Sequence, residues 1–434
     1  MRYDWRCLFL QCSGWLALSA LAGAATPFEP YLVLQRRVEL YDGTQRVPVR
    51  VLPGDVLSAC PDESHRGWLT VTLDQKTYQA KAEGLGRLAD LDVSYAQRTA
   101  DLDGRIDALT RQITALADRA AQLYAAEHAI RFDATVQYRY REAIVLPTIA
   151  PLQSGPRPAL PPPPPIQYTE RYEDKVPVSR ARHLADRWAG ERRDIEREAE
   201  ALRDQRRDRI RDRFGAETQH AFVSARLAAF RADGLSVARE PYVCVQDRTQ
   251  LYADTILVEE LGADTVVMAT PSRDDEQWLR VFRNGQVLAA RRAGFLNRLG
   301  IEMQMGLRAV WLEQAIRDRL DQADMQAARR QLLESVGLAA DYASQLEYVA
   351  LRVYPFRPDY QGCRYYAFPV CPSAAVEVVN RARARAYIRD CDAELDAIEE
   401  RMSEIDRTLR GWRRELATLG PRLADLRQRL GAAR

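Results

Sequence analysis

The side chains best suited to chemistry in this chain are its cysteines and histidines, and their spacing argues against that use. A cysteine hydrolase needs a thiol and an imidazole within hydrogen-bond reach. Cys60 and His65 are near each other in sequence, but Pro61-Asp62-Glu63 turns the chain between them. Tetrahedral zinc wants closely spaced Cys and His ligands. There is no C-x-x-C, and His65, His128, His183 and His220 are far apart. No G-x-S-x-G, H-E-x-x-H or Walker-type loop occurs, and Gly84-Leu85-Gly86 lacks the third glycine of a dinucleotide fingerprint. Carboxylate pairs abound, but on charged helical stretches where a solvated face explains them. The expectation is a protein that is not an enzyme, with no catalytic residue, no cofactor and no metal site.

Bulk properties narrow the alternatives. The chain has 434 residues, enough for two or three domains, and is 47% hydrophobic and 29% charged. A net charge of +2 gives no pull towards nucleic acid. Only Lys76, Lys81 and Lys175 among the 63 basic residues are lysines, and acids are interleaved with the arginines almost throughout. At the N-terminus Arg2 and Arg6 precede an apolar stretch from Cys7 to Leu21, then Ala22-Gly23-Ala24-Ala25. This is the layout of a cleaved secretory signal peptide over residues 1–24, and it predicts a periplasmic location. No later segment is apolar for long enough to span a bilayer.

Export gives the remaining cysteines a new meaning, because disulfides persist in oxidising compartments. Cys363 and Cys371 bracket a short stretch and form the candidate disulfide. Cys391 falls on a helical core stripe, where a buried thiol is expected. Cys60 and Cys244 remain open as separate thiols or a pair across domains.

The chain repeats itself. Pro30-Tyr31-Leu32-Val33-Leu34-Gln35-Arg36-Arg37-Val38-Glu39-Leu40-Tyr41 returns as Pro241-Tyr242-Val243-Cys244-Val245-Gln246-Asp247-Arg248-Thr249-Gln250-Leu251-Tyr252. Trp68-Leu69-Thr70-Val71 returns as Trp278-Leu279-Arg280-Val281, and Gly84-Leu85 as Gly294-Phe295. Each copy reads as short strands. Val47, Val49 and Val51 alternate with Pro48 and Arg50, ending at Pro53-Gly54-Asp55. Trp68, Thr70 and Thr72 face one way and Leu69, Val71 and Leu73 the other. In the second copy Thr265–Ala269 and Trp278–Phe282 take these parts, and Asn284-Gly285 is a hairpin turn. Strands this short predict closure into a barrel, which removes exposed edges.

The order of these elements resembles the bacterial Src-homology-3-type domain of exported proteins. The matching residues are Gly54, Asp55, Trp68 and Val71 in the first copy, and Asp264, Trp278 and Val281 in the second. The resemblance implies a small barrel that binds cell-wall material or protein segments. Trp68 and Trp278 then either plug the small core or offer a stacking surface.

Long helices connect and follow the modules. Leu102, Ile106, Leu109, Ile113, Leu116, Ala120 and Leu123 alternate four and three apart, the seam of a coiled coil in a helix from Leu88 to Ile130. A second seam runs through Ile388, Cys391, Leu395, Ile398, Met402, Ile405, Leu409, Trp412, Leu416, Leu419, Leu423, Leu426 and Leu430. Gly420-Pro421 inside it predicts a kink or break. Arg180–Phe214 and Ala216–Ala232 read as two charged helices, and Leu307–Val336 as a helix with Leu312, Ile316 and Leu320 on one face, stopping at Gly337. Two irregular inserts interrupt the helices. One holds Tyr138, Tyr140 and the run Pro161–Pro165, the other Tyr365, Tyr366 and the Cys363/Cys371 pair. Each predicts the tip of a helical hairpin.

The resulting expectation is an α+β, mostly helical, elongated chain. Src-homology-3-like barrels cover 28–87 and 240–299. Helical segments cover 88–131, 180–235, 302–347 and 380–431, with inserts at 132–179 and 348–379. The function it predicts is a non-catalytic exported scaffold or adaptor binding peptidoglycan or envelope proteins through Trp68, Trp278, Tyr138, Tyr140, Tyr365 and Tyr366. A periplasmic adaptor of an export or efflux assembly and an undetected cell-wall hydrolase are the alternatives. Self-association through the coiled coil is left open.

Overall fold

The computed structural model describes residues 28–144, 167–233, 239–345, 350–351 and 375–433, apart from positions 36–37, 74, 273 and 276. The signal segment, the proline run, Tyr365, Tyr366 and the Cys363/Cys371 pair all lie outside the described residues.

The first half opens with β1 (Glu29–Val33), β2 (Val38–Asp42), β3 (Gln45–Val51), β4 (Val56–Pro61), β5 (Trp68–Leu73), β6 (Lys76–Lys81) and β7 (Leu85–Arg87). Helix α1 (Leu88–Asp133) leads out to β8 (Val136–Ile144), and β9 (Gln167–Asp174) leads back through α2 (Val178–Asp233). The order then repeats: β10 (Glu240–Cys244), β11 (Thr249–Ala253), β12 (Ile256–Leu261), β13 (Val266–Pro271), β14 (Trp278–Arg283), β15 (Gln286–Arg291) and β16 (Phe295–Asn297). Helix α3 (Arg298–Ile301), a π-helical turn (Glu302–Gly306) and α4 (Leu307–Gln345) lead out to β17 (Ala350–Leu351). The return is β18 (Ala375–Val379) and α5 (Arg381–Ala432). The chain is therefore α+β with helix dominant. Among the described residues no helix is long and apolar enough to cross a membrane.

The two strand modules share one topology. Their sheets run β3-β2-β6-β5-β4-β1-β7 and β12-β11-β15-β14-β13-β10-β16. Their registers agree too: Trp68 lies opposite Lys81 as Trp278 lies opposite Arg291, and Tyr31 opposite Arg87 as Tyr242 opposite Asn297. The expected alternation holds, with Leu69, Val71 and Leu73 in the first core and Leu279 and Val281 in the second. Asn284 and Gly285 both have positive φ (51° and 74°), as a two-residue hairpin turn requires. The expected barrel closure is corrected: β3 and β7, and their counterparts β12 and β16, end their sheets without pairing to each other. Pro48 cannot donate to a ladder and sits where the β2–β3 register shifts, while β7 and β16 have only three residues each.

By internal contacts the chain divides into two compact units. One comprises the described residues up to Ala108, with Arg206–Ala315 and Trp412–Arg434. Here each module packs on the root of its own helical hairpin. Leu32 and Val56 meet Leu88, Val223 and Leu227, and Val243 meets Ile301, Leu423, Leu426 and Leu430. Such fully buried side chains contribute roughly 2 kcal/mol each. Gly306 lets α2 approach the π turn: a Cβ there would lie 2.7 Å from the Phe214 ring and 2.6 Å from Glu302 Oε2. Gly306→Ala is expected to destabilise the protein by about 1–2 kcal/mol despite alanine's better helix propensity. Chemical unfolding checks this, and an unchanged midpoint would show that the ring swings aside freely.

The other unit comprises Leu109–Gln205 and Ile316–Gly411. Its four helical segments enclose an apolar cluster of Tyr124, Leu333, Ala340, Tyr387, Cys391 and Ile398. The two inserts contribute to one sheet of order β17-β18-β8-β9, in which β18 from the second half pairs with β8 from the first. Asn380 caps α5 by accepting from the Arg383 N–H, and its amide donates to Gln137 Oε1 of β8.

Three helix boundaries differ from expectation. α2 runs unbroken through Gly215, α4 continues past Gly337 to Gln345, and α5 passes through Pro421. A single glycine costs a long helix only about 1 kcal/mol, and a Cβ at either glycine would meet nothing within 4 Å. On α4 the buried face is Leu312, Ala315, Leu333 and Ala340, whereas Leu320 is 38% exposed.

Candidate functional site

Each strand module carries the same aromatic arrangement on its outer face. Trp68 opens β5, so alternation sends Leu69 into the core and leaves the indole half-buried outside it. The Tyr41 ring meets its edge at 5.4 Å, and Lys81 Nζ lies 5.9 Å from its centroid. In the second module Tyr252 meets Trp278 at 5.9 Å, and the Arg291 guanidinium lies 5.8 Å away. The expected tryptophans are therefore not core plugs. Each belongs to a Tyr–Trp–cation triad whose cation is exposed. Edge-to-face pairing is worth about 0.5–1.5 kcal/mol and holds the indole in place. Such a surface suits stacking on flat or apolar ligand faces, with the cation favouring a nearby anionic group.

The modules are not interchangeable. On edge strand β12, Ile256, Leu257 and Val258 are 70%, 46% and 49% exposed, and Val287 on β15 is 49% exposed. The same positions in the first module are Gln45, Arg46, Val47 and Thr77. Sequence reading missed this patch, although the change from Gln-Arg-Val to Ile-Leu-Val in the repeat alignment signals it.

At the insert sheet, Tyr138 and Tyr140 point to one face of β8, with ring centroids 6.5 Å apart. Both are half-buried, because β8 is flanked by β18 and β9. The more exposed ring is Tyr172 on β9, at 50%. Asp174 anchors this end: Arg383 and Gln137 donate to its carboxylate at 2.7 and 2.6 Å and hold its pKa below the usual range.

A buried cluster of ionisable groups among the described residues was not foreseen from sequence. Tyr124, Glu127, His128 and Arg131 recur three and four apart on α1 and share a face. Tyr387, Cys391 and Glu394 do the same on α5. Glu127 and His128 are only 2% and 1% exposed. Glu127 is met by Arg131 at 2.6 Å and by Arg192 at 3.5 Å, while the guanidinium groups of Arg192 and Arg329 each lie 5.1 Å from the Tyr124 ring centroid. His128 Nδ1 is 3.2 Å from the Tyr387 hydroxyl, which also donates to the His128 carbonyl oxygen. Nε2 has no hydrogen-bond partner and faces Glu394 Oε2 at 3.5 Å.

The electrostatics of this cluster work against covalent chemistry. Burial pushes the Cys391 thiol up and the His128 imidazole down to about 4, so at neutral pH both are uncharged. An activated thiolate needs the opposite shifts. Burial also raises Glu127, against the pull of Arg131 and Arg192. The arrangement locks helices together. Cys244 and Cys391 are buried free thiols, so Cys60 and Cys244 are not joined. Among the described residues no group of three His, Cys, Asp or Glu side chains could hold a metal ion. Nearby, Glu196, Glu200, Arg203, Gln326 and Arg329 help to line a cleft of about 230 Å³. Arg203 Nε and Gln326 Oε1 lack protein partners, as is common where ordered water is held.

No protein family, curated protein or solved structure matches the chain.

Proposed function

We propose that this protein is a non-catalytic scaffold or adaptor of the cell envelope, exported by its N-terminal signal, whose strand modules grip cell-wall material or envelope proteins. The observation that carries this reading is the paired aromatic triad, Tyr41–Trp68–Lys81 and Tyr252–Trp278–Arg291, at matching positions of two duplicated sheets. Duplicated weak sites on one chain bind a repetitive polymer with avidity, because engaging the first raises the effective concentration of the second. The Src-homology-3-type resemblance is supported by the burial of Val71 and Val281 and by the positive φ shared by Gly54 and Asp264. The seams of α1 and α5 act as spacers: every position from Ile388 to Leu430 on the α5 seam is buried or half-buried.

Co-sedimentation with purified peptidoglycan sacculi tests the reading. The protein should pellet saturably, and Trp68→Ala with Trp278→Ala should weaken pelleting at least tenfold. Each single variant should lose less than the pair. Absence of pelleting would exclude the wall as partner, and unchanged pelleting of the folded double variant would remove the triads from the site.

A further inference from the structure

The two halves of the chain differ in how the ends of their returning helices and their opening strands are paired. The second module begins with Glu240-Pro241-Tyr242, in which Glu240 and Pro241 are half-buried and Tyr242 belongs to the module's core. Tyr242 is 4% exposed, and the Arg226 guanidinium, on the last turns of α2, forms an ion pair with Glu240. Arg226 also lies near Asp55, in the turn between β3 and β4 of the first module. A surface of the first half, the end of α2 with the Gly54-Asp55 turn, thus caps the opening strand of the second half.

The duplication supplies both sides of this contact once more. α5 packs on its module as α2 does, and Leu426 and Leu430 keep the four-residue spacing of Val223 and Leu227. Matching these spacings sets Arg429 against Arg226; Arg429 donates to the carbonyl of Asp264, in the corresponding turn, while Arg422 pairs with the Asp264 carboxylate at 2.8 Å. Yet Arg429 is 53% exposed and its ion pair is with Asp425 on its own helix, whereas Arg226 is 15% exposed. The chain's other Glu-Pro-Tyr strand is Glu29-Pro30-Tyr31. Tyr31 is half-buried and Glu29 is 37% exposed, paired with Arg87 at the module's own edge. Among the described residues nothing equivalent to Arg226 reaches them.

We propose that the Arg429 surface of one copy caps the Glu29-Pro30-Tyr31 strand of a second copy, repeating between chains the contact that Arg226 makes within one. The two surfaces differ, so the contact is head-to-tail and builds rings or open filaments rather than two-fold dimers. Within the chain α2 ends at Asp233 and β10 begins at Glu240, so the short connection supplies a high effective concentration. Between copies the association depends on protein concentration. The proposal is independent of what the aromatic triads bind.

Sedimentation velocity and light scattering on the purified full chain over a concentration series test it. Species larger than dimers should grow with concentration. Arg429→Glu and Glu29→Arg should each return the protein to monomers, and the two changes in one chain should restore assembly. Arg429→Ala should also weaken assembly, without placing a new acid beside Asp425. A monomer at every concentration would overturn the proposal, as would a dimer indifferent to Arg429→Ala.

Discussion

Replacing Glu127 with alanine is expected to lower the unfolding free energy by about 3 kcal/mol, because it strands buried positive charge. The Glu127 side chain is 3% exposed, and the Arg192 side chain that it meets is 13% exposed. Arg192 keeps Glu196 at 3.3 Å, but Glu196 is already shared with Arg329. Arg131→Ala should cost only about 1 kcal/mol, since Glu127 keeps Arg192 at 3.5 Å and the lost guanidinium, 30% exposed, was already partly hydrated. Denaturant unfolding of the two variants separates these cases. Equal losses would mean that the pair behaves as a surface ion pair despite its burial.

Acidification from pH 6.5 to 4 should remove about 2 kcal/mol through His128 alone. Burial depresses its folded value to about 4 from the ordinary 6.5. As pH falls through 6.5 the unfolded chain takes up a proton that the folded chain refuses, so stability falls until the folded imidazole also titrates. Glu127 acts in the opposite sense: its raised value lets the folded state bind a proton before the unfolded state does, which offsets part of the loss. The comparison is therefore between wild type and His128→Gln across that window. The variant should show the shallower decline, and parallel curves would show that His128 is already protonated or solvated in the native protein.

Much of the local structure is legible in the sequence because it follows from short-range pattern. The α5 seam is legible because thirteen residues from Ile388 to Leu430 keep three-four spacing, and all of them lie inward. The strand alternation at Trp68–Leu73 and the Asn284-Gly285 turn are equally direct. The repeat alignment names the tryptophans and the tyrosines Tyr41 and Tyr252 of both aromatic triads; Lys81 and Arg291 complete them through cross-strand register. The buried cluster on α1 was hidden for a physical reason. The apolar seam stops at Leu123, and Glu127-His128 reads as the return of a solvated face. Its partners lie on α5, far away in sequence, so no local rule announces them. The exposed Ile256-Leu257-Val258 edge runs against the expectation that edges are blunted, and alternation alone would have placed Leu257 inside.

The joining of the two halves through β8–β18 and through His128–Tyr387 also constrains the timing of folding. These contacts span 259 residues for the histidine and tyrosine and 243 for Gln137 and Asn380. Loop closure over such distances adds little to the equilibrium cost, because the penalty grows only logarithmically, but it slows the search. While the chain emerges in order, α1 can present the Tyr124–His128 face and β8 an unpaired strand edge long before α5 exists. An N-terminal fragment ending after α2 should therefore be more prone to aggregate than the whole chain, and the interval before α5 arrives is when this protein most needs shelter.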